Sequence, residues 1–155
     1  MKDLILNCLT GIISANHQKL THAYYDNGGC EIWFQVELAH SLRSVGQCVK
    51  REVAYPGGGQ YCDIVINAQV PVELKVDNAY HGTPDDFIND IYKLQGVTTN
   101  GSPRIALRIS KGTQPSLPNG AEAYIVDHIH NQYYPFQRRA YNVDENTWFI
   151  SLACF

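Results

Sequence analysis

The sequence predicts an α/β domain with a central mixed β-sheet flanked by helices. Two short apolar runs, 61–66 and 70–76, carry single polar residues at intervals, which is typical of β-strands. Two other segments, 31–45 and 84–95, repeat apolar residues at helical spacing. Helices before and after a group of strands indicate a sheet with helices packed on its faces.

The helices have distinct local signals. The helix over 31–45 has one apolar arc, flanked by Glu37, and the opening segment 1–10 is interpreted as a further amphipathic helix. The helix over 84–95 has Thr83 as its N-cap and acidic residues in its first turn, which suit the positive end of the helix dipole. Its apolar stripe consists of Phe87, Ile88, Ile91, Tyr92 and Leu94.

Further strands are predicted on both sides of the two apolar runs. The glycine-rich segment 56–59 links the first strand to the next and lacks the helix and the Gly-Lys-Ser/Thr sequence of a phosphate-binding loop. Segment 112–120 contains two prolines and is predicted to be a loop. The further strands are predicted over 48–55, 104–109, 121–128 and 147–155.

Segment 61–76 is the most informative part of the chain. It is predicted to be a hairpin whose loop is 67–69, and in that register Glu73 lies opposite Asp63. Lys75 shares the Glu73 face. A two-residue loop would shift the register by one and separate the two acids. The apolar partners in the favoured register are Ile66 with Val70 and Ile64 with Val72.

Two neighbouring carboxylates beside a lysine suit a hard divalent cation. Burying unpaired charge is costly, and adjacent carboxylates repel unless a cation lies between them. Such oxygen ligands suit Mg²⁺, which activates a bound water and stabilises the charge of a phosphoryl transition state. Lys75 could orient the attacking water or neutralise the phosphate. The competing interpretation is a surface hairpin with an ordinary Glu–Lys pair on its wet face.

The arrangement of Asp63 followed by Glu73-Leu74-Lys75 resembles the signature of the PD-(D/E)XK nuclease superfamily, which has the restriction-endonuclease-like fold. The family core is αβββαβ, and the predicted elements follow that order over residues 31–109. Cys62 stands where the family name has proline, at a position that varies within the superfamily. The resemblance implies one nuclease-like domain over 1–155, in which 110–155 is a C-terminal extension.

Carried over to this chain, the resemblance implies a role for each residue of the motif. Asp63 and Glu73 would be metal ligands, the Leu74 carbonyl a further ligand, and Lys75 the catalytic lysine. The implied cofactor is Mg²⁺ or Mn²⁺.

Helical residues are also implied. Many members of the superfamily use a glutamate of the first helix near the metal, and Glu37 is the best match, with Glu31 as the weaker candidate. A solvated helix charge is the alternative for Glu37. Some relatives add residues from the second helix. Lys93 or Gln95 could serve in this way, although a plain packing helix is the favoured interpretation.

Composition sets the outer limits. The 155 residues, 45% of them hydrophobic, are enough for one domain with its own core. No segment approaches the length of a membrane-spanning helix, so no membrane partner is expected. Five scattered cysteines without a CxxC pair argue against a zinc site or a disulfide framework. They indicate a reducing, cytoplasmic compartment.

The net charge of −3 is the main observation against a nucleic-acid enzyme, because affinity for DNA or RNA comes mostly from Lys and Arg facing phosphates. Distribution matters more than the sum, and the cations could either surround the acidic site or form an ordinary solvated surface. The cations considered are Lys50, Arg51, Arg104, Arg108, Lys111, Arg138 and Arg139.

Two later features leave alternatives open. His128 and His130 could share a strand face, but without a third ligand at recognisable spacing they are interpreted as packing or surface residues. Segment 131–139 combines Tyr, Phe and Arg. That composition suits stacking on unpaired bases and equally suits an oligomer interface.

The sequence therefore predicts a Mg²⁺-dependent phosphodiesterase acting on nucleic acid, with DNA favoured over RNA. Endonuclease or exonuclease cleavage, a homodimer and a protein partner are left open. The alternative is a nuclease-like fold whose chemistry has lapsed and which serves as a binding or assembly module. Retention of Asp63, Glu73 and Lys75 speaks against that alternative, since a lapsed site has no chemical reason to keep adjacent acids. An accidental resemblance would leave Asp63 far from Glu73.

Overall fold

The computed structural model describes residues 1–25, 30–55, 59–77, 84–97, 99, 101–112, 115–136 and 143–155. These ranges contain three helices and seven strands, so the predicted α/β architecture is confirmed. The helices are α1 (Lys2–Tyr25), α2 (Cys30–Ser44) and α3 (Pro84–Gln95). The strands are β1 (Val49–Ala54), β2 (Tyr61–Ile66), β3 (Val70–Val76), β4 (Ile105–Lys111), β5 (Ala121–Asp127), β6 (Gln132–Pro135) and β7 (Trp148–Cys154).

Most elements lie within one or two residues of the predicted bounds. The exceptions are β6, which was not predicted as a strand, and α1. The sequence predicted a helix over 1–10, whereas α1 continues to Tyr25. Its apolar positions continue through Ile12, Ile13 and Leu20, which are all buried, so the helix keeps a core-facing side along most of its length. The predicted N-cap Thr83 and most of the glycine-rich segment, 56–58, lie outside the described residues.

The seven strands form one mixed sheet in the order β1-β2-β3-β4-β7-β5-β6. The pair β3–β4 is parallel, and the other pairs of neighbours in the described sheet are antiparallel. A parallel pair requires a crossover of about a dozen residues or more, which α3 provides here. Strand β3 lies between β2 and β4, so it is an inner strand of the sheet. Helix α3 is the next element after β3 in the described chain.

Apolar side chains cover both faces of the sheet. Successive residues of a strand point to opposite faces, and Leu107 packs with α1 and α2 whereas Ala106 packs with α3. The α3 face is closed by Phe87, Ile91 and Leu94. The two layers place β3 between α2 on one side and α3 on the other. None of the helices in the described part of the chain is long and apolar enough to cross a membrane.

A buried ion pair ties the end of β3 to the neighbouring parallel strand β4. The Arg108 guanidinium on β4 donates to both carboxylate oxygens of Asp77 at 2.7 and 3.0 Å. The Asp77 N–H also donates to the carbonyl of Ile109 at 2.9 Å. The two charged side chains are only 12% (Asp77) and 7% (Arg108) exposed, so each depends on the other for compensation.

We therefore expect Asp77→Ala to lower the free energy of unfolding by about 3–5 kcal/mol, because it leaves a buried guanidinium without its carboxylate. Urea unfolding measures the change. The control is Lys2→Ala, which removes an ion pair with Glu122 whose side chains are 37% and 55% exposed. That loss is expected to be about 0–1 kcal/mol. Equal losses in the two variants would contradict the prediction.

Candidate functional site

The β2–β3 hairpin has the predicted three-residue loop. Residues 67–69 form the turn, and Ile66 pairs with Val70 while Ile64 pairs with Val72. Asn67 has a φ of 53° and Ala68 a φ of 57°, in the left-handed region. The register that places Glu73 and Asp63 at the same level of the hairpin is confirmed by these pairs.

The backbone pairing of β2 with β3 runs as far as Ile64 and Val72, and at Asp63 a side chain makes the next contact. The Leu74 N–H donates to Asp63 Oδ2 at 2.8 Å, so a side-chain carboxylate accepts this backbone bond in place of a carbonyl of β2. The Asp63 carboxylate is thereby held beside β3. It is close enough to Glu73 for its negative charge to contribute to a higher Glu73 pKa. The structure therefore brings together the two acids that the sequence singled out.

Glu73 is the most deeply buried acid of this group, with a side chain that is 2% exposed. Its Oε1 lies 2.8 Å from the Lys93 ammonium and also accepts a hydrogen bond from the Tyr55 hydroxyl. Burial raises the pKa of Glu73 to about 7, although the Lys93 and Tyr55 bonds oppose the shift. Burial and the bond to Glu73 likewise raise the pKa of Tyr55, so its hydroxyl remains a donor.

Lys75 faces a different partner. Its Nζ donates to both carboxylate oxygens of Glu31 at 3.3 Å. Burial lowers the pKa of the Lys75 ammonium, but the carboxylates of Glu31, Asp90 and Asp63 together outweigh burial, and the net shift is upward. Lys75 is therefore positively charged at neutral pH. It can orient a water molecule or neutralise a phosphate, but it is not a general base.

Of the two helix glutamates considered, the structure places Glu31, the weaker candidate, in contact with Lys75. A role for Glu37 stays a prediction. Glu31 lies in the first turn of α2, whereas Glu37 is six residues further along, or about 9 Å along the helix axis. The N-terminal turn of α2 is the part that lies near Lys75. Glu37 is half-buried, and no hydrogen bond or ion pair connects it to the described residues of the site.

Helix α3 contributes Asp90 and Lys93. Asp90 Oδ2 is buried and has no hydrogen-bond partner among the described residues. Burial raises the pKa of Asp90 to about 6, against the opposing charges of Lys75 and Lys93. The sequence analysis considered Lys93 and did not identify Asp90 as a site residue. The available signal was their i,i+3 spacing, which places both side chains on one flank of the apolar stripe. Gln95 is exposed, and its carbonyl accepts a bond from Arg104.

The site contains the carboxylate oxygens that a divalent cation prefers, but they are not arranged as a complete set of ligands. Four carboxylates against two lysines leave a net charge of −2 when all six groups are ionised. Carboxylate oxygens suit Mg²⁺, and the unpartnered Asp90 oxygen is a further candidate donor. The described residues nevertheless contain no group of three or more Asp, Glu, His or Cys side chains arranged to hold a metal ion. The Leu74 carbonyl as a ligand stays a prediction.

Several of the cations considered for a nucleic-acid patch are bound internally. Arg108 is paired with Asp77, Lys111 donates to the Glu145 carbonyl at 2.7 Å, and Arg104 donates to the carbonyls of Gln95 and Val97. Lys50 is exposed and Arg51 is half-buried, while Arg138 and Arg139 lie outside the described residues. These inward contacts leave few basic groups of the described chain free to face phosphates.

The two C-terminal histidines do not share a strand face. His128 and His130 lie in the turn that follows β5, where His130 pairs with Asp127 at 2.8 Å and His128 stacks on His17 at 4.3 Å between ring centroids. Both contacts are those of surface and packing residues. The aromatic segment 131–139 forms β6 over part of its length, and its last three residues lie outside the described residues.

Comparisons with protein-family models, with curated proteins and with solved structures give no match.

The Glu73 pKa predicts how stability depends on pH. The folded-state pKa is about 7 and the ordinary value is 4.5, so between these values the folded protein binds more protons than the unfolded chain. Stability should therefore fall as pH rises through this range. Glu73→Gln removes this titration, and urea unfolding at pH values from about 4 to about 8 should show a shallower decline for the variant. Parallel pH profiles would show that Glu73 titrates normally.

Proposed function

We propose that this chain is a metal-dependent phosphodiesterase that hydrolyses nucleic acid, with DNA as the expected substrate. The observation that carries the proposal is the closeness of two carboxylates and one ammonium. Asp63, held by the Leu74 N–H, lies near enough to Glu73 and to Lys75 for its charge to act on both. Asp63 on β2 and Glu73 and Lys75 on β3 form one charged group, in which the Glu73 side chain is only 2% exposed. Burying a carboxylate is costly, and a surface hairpin would leave it in water.

Each residue has a part that its surroundings support. The Asp63 and Glu73 carboxylates would hold Mg²⁺ or Mn²⁺, and Asp90 is a further candidate oxygen donor. Bound Mg²⁺ supplies an activated water and stabilises negative charge on the phosphoryl group. Lys75 places a positive charge next to that group, and Glu31 holds the lysine side chain in position at 3.3 Å.

The order of elements supports a restriction-endonuclease-like core. Helix α2, strands β1 to β3, helix α3 and strand β4 follow one another in the αβββαβ order of the PD-(D/E)XK superfamily, with the acidic residues on β2 and β3. Because many of the basic residues are bound internally, substrate affinity would depend on the metal, on a second copy of the chain or on a protein partner.

A second function is favoured by a specific observation. Lys93 and Tyr55 both contact Glu73 Oε1, so one of the two carboxylate oxygens already has two partners and its charge is compensated without a metal. A nuclease-like fold in which this lysine had replaced the metal would serve as a binding or assembly module. Metal binding separates the two functions.

We expect Mn²⁺ to bind the wild type in calorimetric titrations and Asp63→Asn to bind at least about tenfold more weakly, because the amide removes one anionic ligand. Metal-dependent cleavage of mixed DNA and RNA should accompany binding. Binding without cleavage would point to the wrong substrate or a missing partner. No binding by the wild type would favour the assembly module.

Lys75→Met tests the lysine separately. The proposal predicts a loss of about 10²-fold or more in the cleavage rate, because one group that stabilises developing charge is removed. Mn²⁺ binding should remain. The matched control is Lys2→Met, whose ammonium pairs with Glu122 on β5 and is remote from the site. Wild-type cleavage by Lys75→Met would contradict its catalytic assignment.

A further inference from the structure

We infer that Lys93 is an internal cation that occupies the Glu73 carboxylate in the metal-free protein and is displaced from it when a divalent cation binds. The inference rests on the proposed metal site. It goes beyond that site because a lysine of α3 would determine how tightly the metal binds. Comparing Lys93 variants with a Lys75 variant distinguishes failure of the inference from failure of the proposed function.

The contacts of Lys93 are specific. Its Nζ lies 2.8 Å from Glu73 Oε1 and donates to the Tyr61 carbonyl at 3.1 Å. It also lies 5.3 Å from the centre of the Tyr55 ring, in a cation–π contact. The Lys93 side chain is 24% exposed and the Glu73 side chain only 2%, so the pair is largely shielded from water. The buried carboxylate requires a cation at this point, and Lys93 provides it.

A metal ion bound to the Glu73 carboxylate would lie close to the Lys93 ammonium, which already contacts Oε1. Mg²⁺ binds oxygen at about 2.1 Å and would meet the ammonium, a second positive charge, at close range. Two contacts of the ammonium, with the Tyr61 carbonyl and with the Tyr55 ring, do not involve Glu73. The flexible lysine stem allows the ammonium to move away from the carboxylate. Displacement therefore breaks one contact and can keep two.

The unpartnered oxygen of Asp90 supports exchange rather than permanent replacement. Asp90 is one helical turn from Lys93 on α3, and within the described part of the chain its buried Oδ2 has no hydrogen-bond partner. A cation site in which Lys93 fully replaced the metal would not need to keep this costly group. The same helix thus carries both the competing cation and a candidate ligand for the cation that displaces it.

Lys93→Met is the test, and Lys75→Met is its matched control. Both variants remove one positive charge from the same acidic cluster, but Lys75 pairs with Glu31 rather than with Glu73. Calorimetric titration with Mn²⁺ should give Lys93→Met an affinity at least about tenfold above the wild type and clearly above Lys75→Met. In thermal unfolding, Lys93→Met should be the less stable protein without metal and should gain more from Mn²⁺ than the wild type.

Lys93→Arg covers the case in which the methionine variant does not fold. Arginine keeps the charge and can bind a carboxylate through two donors, so it should hold Glu73 more firmly and reduce Mn²⁺ affinity. In a folded Lys93→Met protein, adding Glu73→Gln should abolish the gain in affinity, because the gain depends on the Glu73 carboxylate.

The outcomes separate the two proposals. Equal Mn²⁺ affinities in Lys93→Met and Lys75→Met would overturn the inference, since only net charge would matter, and would leave the metal site intact. Binding by Lys93→Met but not by the wild type would support Lys93 as the internal cation while favouring the assembly module as the function. No binding by the wild type or any variant would overturn both.

Discussion

The site depends on one constraint, which is that β3 buries the Glu73 carboxylate within the sheet. A buried charge needs compensation, and here it comes from elements distant in sequence: the Tyr55 hydroxyl from the end of β1 and the Lys93 ammonium from α3. These bonds connect α3 and the end of β1 to β3, while the apolar residues of α3 pack it against the sheet. The parallel β3–β4 pair requires a crossover on this side of the sheet, and the crossover helix brings Lys93 to the acid.

Local signals made the elements and the hairpin register predictable. The predicted bounds of α3 agree with the structure, and the loop 67–69 has the predicted length. The site itself could be predicted only in part. Choosing Glu31 over Glu37 requires knowing which end of α2 meets β3, and Asp90 requires knowing which flank of α3 faces the acids. Those facts depend on how the helices pack, which no local pattern contains.

Charge gives a similar lesson. The sequence offered seven cations for a phosphate-binding patch, but Arg108 and Lys111 are buried and compensated within the fold. Arginine and lysine stems bury well when their charged ends find an acceptor, so their number in a sequence says little about the surface potential. At the acidic site the imbalance runs the other way, since four carboxylates share two lysines. Negative charge is therefore in excess at the site, whereas several cations of the described chain are bound internally.

A lysine on Glu73 is compatible with both an enzyme and a lapsed fold, so the surrounding groups must decide between them. In a site that had settled on lysine, the remaining acids would gain stability by finding partners or being lost, because an unpaired buried oxygen is unfavourable. Asp63 accepts a bond from the Leu74 N–H and Glu31 pairs with Lys75, but within the described residues the buried Asp90 Oδ2 accepts no hydrogen bond. The charges of Lys75 and Lys93 compensate the Asp90 carboxylate only in part. Under the proposal, a cation that enters when Lys93 withdraws would bind this oxygen.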